Sequence, residues 1–429
     1  MMQILQRGDT GAEVALLQTG LNRAGYGPLR PDGIFGAATE RSLTAFQRRM
    51  GLTPDGISGP RTEAALAPWY RGYAVHTAAP GDTLWRIAGR YGSTLSALET
   101  ANPGLDPFDL RPGQRLTVPF SFPAVPTDIP WSSALAEYAV RGLAARYPAD
   151  VKLETIGESA LGKPLHALTV GDGPRRVLFT AAHHANEWIT VPVLLRFLEE
   201  YAAAYAAGGS VGGVSARALF ETATLHMVPL VNPDGVDLVT GALSPLDSFY
   251  TQAMALAAHY PNIPFPDGWK SNISGVDLNL QYPAGWEVAR RIKFSQGYTR
   301  PGPRDYVGSE PLITPENRAM VKWTREQDFA LTVSYHTQGR TIYWQYQNQA
   351  PAEARTIGEA LSRSSGYTLA STPFNSAHAG YKDWFIQTWR RPGYTIEAGQ
   401  GVNPLPLSQF EEIYRANLPI LVRGMALSP

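Results

Sequence analysis

The sequence predicts a multidomain chain made of a small three-helix module, a small β-α-α-β unit and a larger α/β domain with a mostly parallel sheet. Three observations carry this prediction. Near the N-terminus Asp32-Gly33-Ile34-Phe35-Gly36-Ala37-Ala38-Thr39 returns 23 residues later as Asp55-Gly56-Ile57-Ser58-Gly59-Pro60-Arg61-Thr62, an internal repeat. Pro119, Pro123, Pro126 and Pro130 interrupt the stretch from Val118 to Trp131, which reads as an extended, semi-rigid spacer. Beyond it, about 300 residues alternate strand and helix patterns, and the full 429 residues are too many for one ordinary core. The boundaries that follow are 1–69 for the helical module, 72–119 for the second unit, 120–131 for the linker and 132–429 for the large domain.

Each repeat copy reads as a Gly-rich turn whose Asp and Thr can cap the next helix, and Leu43, Phe46 and Met50 between them fall at helical spacing. Val14, Leu17 and Leu21 form an earlier amphipathic helix. In the second unit a strand at Tyr73–His76 precedes Pro80-Gly81-Asp82-Thr83-Leu84-Trp85, which opens a helix through Ile87 and Tyr91. Thr94, Leu95 and Leu98 mark a second helix stopped by Asn102-Pro103, and Leu110 to Pro119 returns as a strand. Trp85, at the start of a small helix, reads as core. In the large domain, 177–181, 225–231, 329–335 and 394–396 are expected strands and 191–205 an expected helix.

Composition narrows the chemistry. Thirty-seven basic against 37 acidic residues give no global electrostatic reason to bind nucleic acid or an anionic membrane, and neither is expected as a partner. The absence of cysteine removes disulfides, thiolate metal sites and cysteine nucleophiles, so a metal must be held by His and carboxylates. His184 follows an apolar strand and precedes Glu187 by three positions, a spacing at which an imidazole and a carboxylate can share a divalent ion. Alone the pair reads as a solvated loop. His336 ends a second apolar strand, Ala330 to His336, and Glu397 ends a third, Gly393 to Glu397. Carboxyl ends of strands are where open α/β sheets bind ligands, so three such groups form a site. Two His and one carboxylate leave a position on zinc for water, and a further Glu can take its proton. His226, in an apolar strand, reads as a core histidine, His183 as a core or supporting residue, and Asp277 as a residue that orients a ligand.

Motifs then point to families. Gly8-Asp9-Thr10-Gly11-Ala12-Glu13-Val14 with Leu17-Gln18, the doubled turn and Phe46-Gln47 resemble the peptidoglycan-binding module of cell-wall hydrolases. GDTLW-x-IA, ANP and LRPGQ-x-L-x-VP resemble a LysM domain, a family that binds N-acetylglucosamine-containing glycan. The His184 segment, Asn232-Pro233-Asp234-Gly235, Gly275-Val276-Asp277-Leu278-Asn279, the His336 strand and Thr395-Ile396-Glu397-Ala398-Gly399 resemble the zinc carboxypeptidase family over about residues 135–425. The last resemblance implies an α/β/α sandwich on a mixed sheet, with one Zn²⁺ bound by His184, Glu187 and His336 and Glu397 as the general base. It also implies that Lys270, where the family places a cation, usually arginine, stabilises the oxyanion.

Departures from the family pattern speak to substrate. Leu280 stands after Asn279 where digestive-type relatives carry the arginine that clamps a terminal carboxylate. Lys382, in Tyr381-Lys382-Asp383-Trp384, falls at the spacing of the specificity pocket and suits an anionic side chain. Arg340 is the candidate replacement for the clamp, and Asn279, Lys382, Tyr381 and Arg340 make up the substrate-binding set; residues that bind glycan are not identified. Together with the two anchors, these features resemble the branch that cleaves γ-D-glutamyl to diamino acid bonds, here meso-diaminopimelate, in peptidoglycan stems. The alternatives are a metallocarboxypeptidase of ordinary peptide C-termini and a catalytically silent wall-binding protein. The architecture points to the cell wall or the extracellular space without a visible signal peptide, with cytoplasmic recycling of wall peptides as the alternative.

Overall fold

A computed structural model of the protein describes residues 4–428. Two compact units divide after Leu153. The first opens with helices α1 (Ala12–Arg23), α2 (Ala37–Arg49) and α3 (Pro60–Arg71). The repeated turns precede α2 and α3, but their Asp and Thr do not cap them: Gly36 and Gly59 are the N-caps, without side-chain hydrogen bonds. A glutamine ties each turn instead. Gln18 Nε2 donates to Asp32 Oδ1, Ile34 O and Thr39 Oγ1 while its Oε1 accepts from Gly33 N. Gln47 makes the same four bonds to Asp55, Ile57, Thr62 and Gly56. Both glutamines are buried, so each amide is satisfied only by its turn.

Strand β1 (Tyr73–Thr77), helices α4 (Leu84–Tyr91) and α5 (Leu95–Ala101) and strand β2 (Arg115–Pro119) follow, with β1 and β2 antiparallel. Leu84, Ile87, Leu98, Leu116 and Val118 form their core. Trp85 does not join it. At 78% exposure it lies outside the core, as does Phe108 at 97%, because the inward face of α4 is taken by its neighbours Leu84 and Ile87. The Pro-rich stretch has no regular element, but it is not a solvated spacer: Ala124, Val125, Ile129 and Trp131 are buried, and Trp131 Nε1 donates to Pro126 O. Helix α6 (Ser133–Arg146) belongs to this unit and sends Arg146 Nη2 to the carbonyls of Gly72, Phe120 and Phe122.

The second unit is built on an eight-stranded mixed sheet. In chain order come β3 (Val151–Glu158), β4 (Pro164–Val170), β5 (Arg175–Ala181), α7 (Thr190–Ala206), the hairpin β6 (Ser210–Val211) and β7 (Val214–Ser215), α8 (Ala216–Thr222), β8 (Ala223–Val228), α9 (Pro233–Val239), α10 (Ser248–Ala257), α11 (Trp286–Ser295) and α12 (Pro315–Gln327). Then follow β9 (Leu331–His336), β10 (Thr341–Tyr343), α13 (Ala352–Ser365), β11 (Thr368–Ala370), α14 (Tyr381–Trp389), β12 (Gly393–Glu397) and α15 (Phe410–Ala426). The order across the sheet is β11-β10-β12-β9-β5-β8-β4-β3. Strands β12, β9, β5 and β8 run parallel, while β10 and β4 pair antiparallel with their inner neighbours.

Successive residues of β5 face opposite layers, as the two-residue period requires. Leu178 joins the cluster of Met320 and Trp323 from α12 and Tyr381, Trp384 and Phe385 from α14. Phe179 faces α15, where Gly424 admits its ring. Helices thus cover both faces of the sheet, the expected sandwich, with β9 buried over its whole length and β5 from Val177 onward. Among the described residues no helix is long and apolar enough to cross a membrane.

Gln47→Ala leaves the Gly56 amide and Thr62 hydroxyl without partners and is expected to destabilise the helical module by about 1–3 kcal/mol. Hydrogen exchange is expected to accelerate over residues 56–62 and not over 33–39. Burial, with a smaller contribution from Arg176, pushes the His226 imidazole in β8 down to about 4. The unfolded chain therefore takes this proton first, and stability is full above pH ~6.5 and declines toward pH 4 by on the order of 3 kcal/mol. His226→Leu is expected to flatten that part of the pH dependence of the urea midpoint.

Candidate active site

Three neighbouring strands deliver the site. β12, β9 and β5 lie side by side and parallel, so their carboxyl ends share one edge of the sheet. His336 ends β9, Glu397 ends β12, and the two are register partners. β5 ends at Ala181, and the chain turns at Ala182 with φ +51°, a left-handed conformation unusual for a residue with a Cβ. Two bonds hold the turn: Ala182 N to Thr190 Oγ1 at 3.2 Å, and Asn232 N to Ala182 O at 3.1 Å. The kink turns His183 into the core, where its Nε2 lies 3.1 Å from Tyr282 Oη, and His184 toward the sheet edge. A short 3₁₀ turn, Ala185–Glu187, then brings Glu187 round to face it.

Two imidazoles and one carboxylate converge. His184 Nδ1 lies 3.0 Å from Glu187 Oε1, His336 Nδ1 lies 2.9 Å from Glu187 Oε2, and the two Nδ1 atoms are 3.2 Å apart. One donor atom from each residue falls within 4.8 Å of the others. Facing nitrogen lone pairs repel unless a cation sits between them, and two nitrogens with one carboxylate oxygen are a donor set that zinc takes in catalytic sites. His184 Nε2 lies 3.2 Å from Asp277 Oδ1, which favours the tautomer protonated on Nε2 and leaves Nδ1 as the donor. The residues present fit a divalent metal.

The electrostatics agree with that donor set. Burial alone would raise the Glu187 carboxyl, but His184, Lys270 and His336 outweigh it and hold it well below the usual carboxylate range. Asp277 is held low against burial by His184 and Lys270. Burial works against charge on His184, yet Glu187 and Asp277 lift it to about 9. Glu397 moves the other way, raised above its ordinary value by burial and by the Glu187 charge despite His336 and Lys270.

The supporting loops meet at Asn232, whose Nδ2 donates to His183 O at 3.1 Å and to Ser271 O at 3.0 Å. Its Oδ1 caps α9 at Gly235 N. A Cβ at Gly235 would lie 2.7 Å from Ser271 O and 2.8 Å from Ala185 Cβ, so only glycine lets α9 approach the His184 turn this closely. Lys270 O accepts from Ala185 N, and Lys270 Nζ reaches Glu187 Oε1 at 2.9 Å.

A cavity of about 250 Å³ opens beside this cluster, lined by His184, Lys270, Asn279, Leu280, Lys382 and Glu397 among others. Two expected members are elsewhere. Tyr381 is fully buried with its hydroxyl 2.9 Å from Thr324 Oγ1, because neighbouring residues on α14 point about 100° apart and Lys382 takes the cavity side. Arg340 lines a different cavity with Tyr367 and Glu412, its Nη1 3.4 Å from Glu412 Oε1. Lys382 is only 4% exposed and is not a lone cation: Asp383 Oδ1 at 2.5 Å and Gln345 O at 2.9 Å accept from it. Asn279 Oδ1 accepts from Tyr381 N and so positions the start of α14. Sequence reasoning passed over Asp383 and Arg304 on the cavity wall and Asn403, whose Nδ2 lies 3.4 Å from Glu187 Oε1. Only the adjacency of Asp383 to Lys382 gave a signal.

A zinc carboxypeptidase family model matches residues 137–419. The chain belongs to this family. A peptidoglycan binding domain model matches residues 10–66 and a LysM domain model residues 76–119. Among relatives, "Gamma-D-glutamyl-L-diamino acid endopeptidase 1" of Lysinibacillus sphaericus is 44% identical over 274 residues, spanning 63% of this chain and 66% of that protein. The protein YqgT of Bacillus subtilis, uncharacterized, is 38% identical over 277 residues, 64% of this chain and 72% of its own length. The fold is shared with carboxypeptidase A from Helicoverpa armigera, with TM-score 0.54, 15% identity and coverage of 92% of this chain and 87% of that one.

Membership in the zinc carboxypeptidase family makes Asp277 testable as the residue that sets the His184 tautomer. Asp277→Asn is expected to weaken zinc binding by roughly 10- to 100-fold, read by competition with a chelator, with the circular dichroism spectrum unchanged.

Proposed function

We propose that the protein hydrolyses the γ-D-glutamyl to diamino acid bond of peptidoglycan stem peptides at the cell wall, with meso-diaminopimelate as the residue released. The relative of that name, 44% identical, supports the bond class, and the peptidoglycan-binding and LysM matches support the polymer. The observation that carries the substrate is the cavity beside the metal ligands. Leu280 packs there with Trp286, Ala289, Val307 and Ala379, so no cation stands at its position to clamp a terminal carboxylate, as an ordinary carboxypeptidase would need. Deeper in, Lys382 and Asp383 present both signs of charge. The distal end of meso-diaminopimelate carries both an ammonium and a carboxylate, and such a pair suits it better than a single charge does.

His184, Glu187 and His336 are the residues that would hold zinc, which when bound supplies Lewis acidity to the attacking water and the scissile carbonyl. Glu397, its proton affinity raised by burial, takes the proton of the water and returns it to the departing amine. Lys270 places positive charge beside the oxygen that becomes negative in the transition state. Its Nζ lies against Glu187 here, so this role requires the ammonium to divide its hydrogen bonds between Glu187 and substrate. Asp277 and Asn232 hold the His184 turn in place.

Mass spectrometry of defined muropeptides incubated with the zinc-loaded protein tests this reading. Loss of the diamino acid and everything after it, leaving L-alanyl-D-glutamate on muramic acid, is the expected result. Glu397→Gln is expected to lower the rate by about 10²- to 10⁴-fold at unchanged zinc content. Intact muropeptides with cleavage of ordinary peptides would replace the substrate assignment, and no cleavage of either would leave a silent wall-binding protein.

A further inference from the structure

A second cavity, of about 730 Å³, lies across from the one assigned above to the released residue, and the two share Lys270, Arg304, Tyr343 and Glu397. With the released residue in the first cavity, as proposed above, the residue before the scissile bond falls to this larger space. Among the cations along the route, Arg304 has hydrogen-bond donors to spare. Lys270 is engaged by Glu187 and Lys382 by Asp383. Arg304 shares one carboxylate with a second cation: its Nε lies 2.6 Å from Asp305 Oδ2, and Lys293 Nζ lies 2.6 Å from Asp305 Oδ1. The other carboxylate nearby, Asp277, acts on Arg304 by charge alone, its oxygens being bonded to His184 through Oδ1 and to Asp305 N through Oδ2. Among the described residues no hydrogen bond uses the two terminal nitrogens of Arg304, and its side chain is 40% exposed, accessible to a ligand.

We propose that Arg304 determines specificity by gripping, through those two nitrogens, the free α-carboxylate of a γ-linked glutamyl residue in the larger cavity. The inference rests on the γ-D-glutamyl reading above. A glutamyl residue joined through its γ-carbonyl keeps an ionised α-carboxylate on the acyl side of the scissile bond, where an α-linked residue presents only a neutral amide. A guanidinium fork matches a carboxylate in a bidentate pair and gives little to an amide.

The test uses the full zinc-loaded chain and L-alanyl-γ-D-glutamyl-meso-diaminopimelate in three forms: with the glutamyl α-carboxylate free, with it converted to the carboxamide, and with it free but the diaminopimelate extended by D-alanine. The wild type is expected to favour the carboxylate over the carboxamide by about 10- to 100-fold in kcat/KM. Arg304→Gln is expected to lose that preference by falling on the carboxylate substrates alone, extended or not, while Arg304→Lys keeps part of it. Equal loss on carboxylate and carboxamide would overturn the proposal in favour of a structural or oxyanion role. So would a wild type indifferent to the carboxamide, or an Arg304→Gln defect confined to the unextended stem, which would place the arginine on the diaminopimelate carboxylate. A wild type that cleaves no γ-D-glutamyl stem brings down the reading of function, and this inference with it.

Discussion

The hydrogen-bonded register of three parallel strands is the constraint on which the rest of the site depends. Because β12, β9 and β5 are adjacent and point the same way, residues separated by more than 200 positions in sequence finish at one edge, and the pairing of Glu397 with His336 follows from the ladder itself. A slip of one residue would turn the side chains of the moved strand to the opposite face. The slip is opposed by burial on both faces, since Leu178 and Phe179 fill different layers of core. The rigidity of the site is therefore a property of the sheet, and the loops need only close over it.

Those loops are joined by backbone carbonyls gathered on one side chain. Asn232 collects the His183 and Ser271 carbonyls, caps α9 and holds Ala182 in a left-handed turn, so the His184 turn and the Lys270 loop are tied to one residue. A buried amide can make several such bonds at once, and each carbonyl left without it would be an unsatisfied polar group. The Asn232-Pro233-Asp234-Gly235 motif thus supports the turn that carries His184 and Glu187 without joining their cluster.

Charge is distributed with similar economy. Burying a carboxylate or an ammonium is costly unless a partner is supplied. Glu187 has His184, His336 and Lys270; Asp277 has His184; Lys382 has Asp383; and Asp305 has two cations. The raised Glu397 and the unused terminal nitrogens of Arg304 stand apart from this compensation, and both residues lie on the wall shared by the two cavities.

The sequence by itself determined the helical module, the β-α-α-β unit and the α/β sheet, the strands at 177–181 and 394–396 within the observed β5 and β12, and the meeting of His184, Glu187 and His336 in one cluster that could hold a metal ion. These are legible because each rests on local pattern: an apolar run that must be buried, a polar residue at its end, and a short fixed spacing. Side-chain direction was decided only by tertiary structure. Tyr381 turned into the core, Arg340 went to another cavity, Trp85 stayed outside the helix core, and the Asp and Thr of the repeated turns were bound by glutamines of the preceding helices. Asp383 and Arg304 acquired their meaning in the same way, since the value of a charge depends on which other charges the fold brings within a few ångströms, and spacing along the chain does not carry that information.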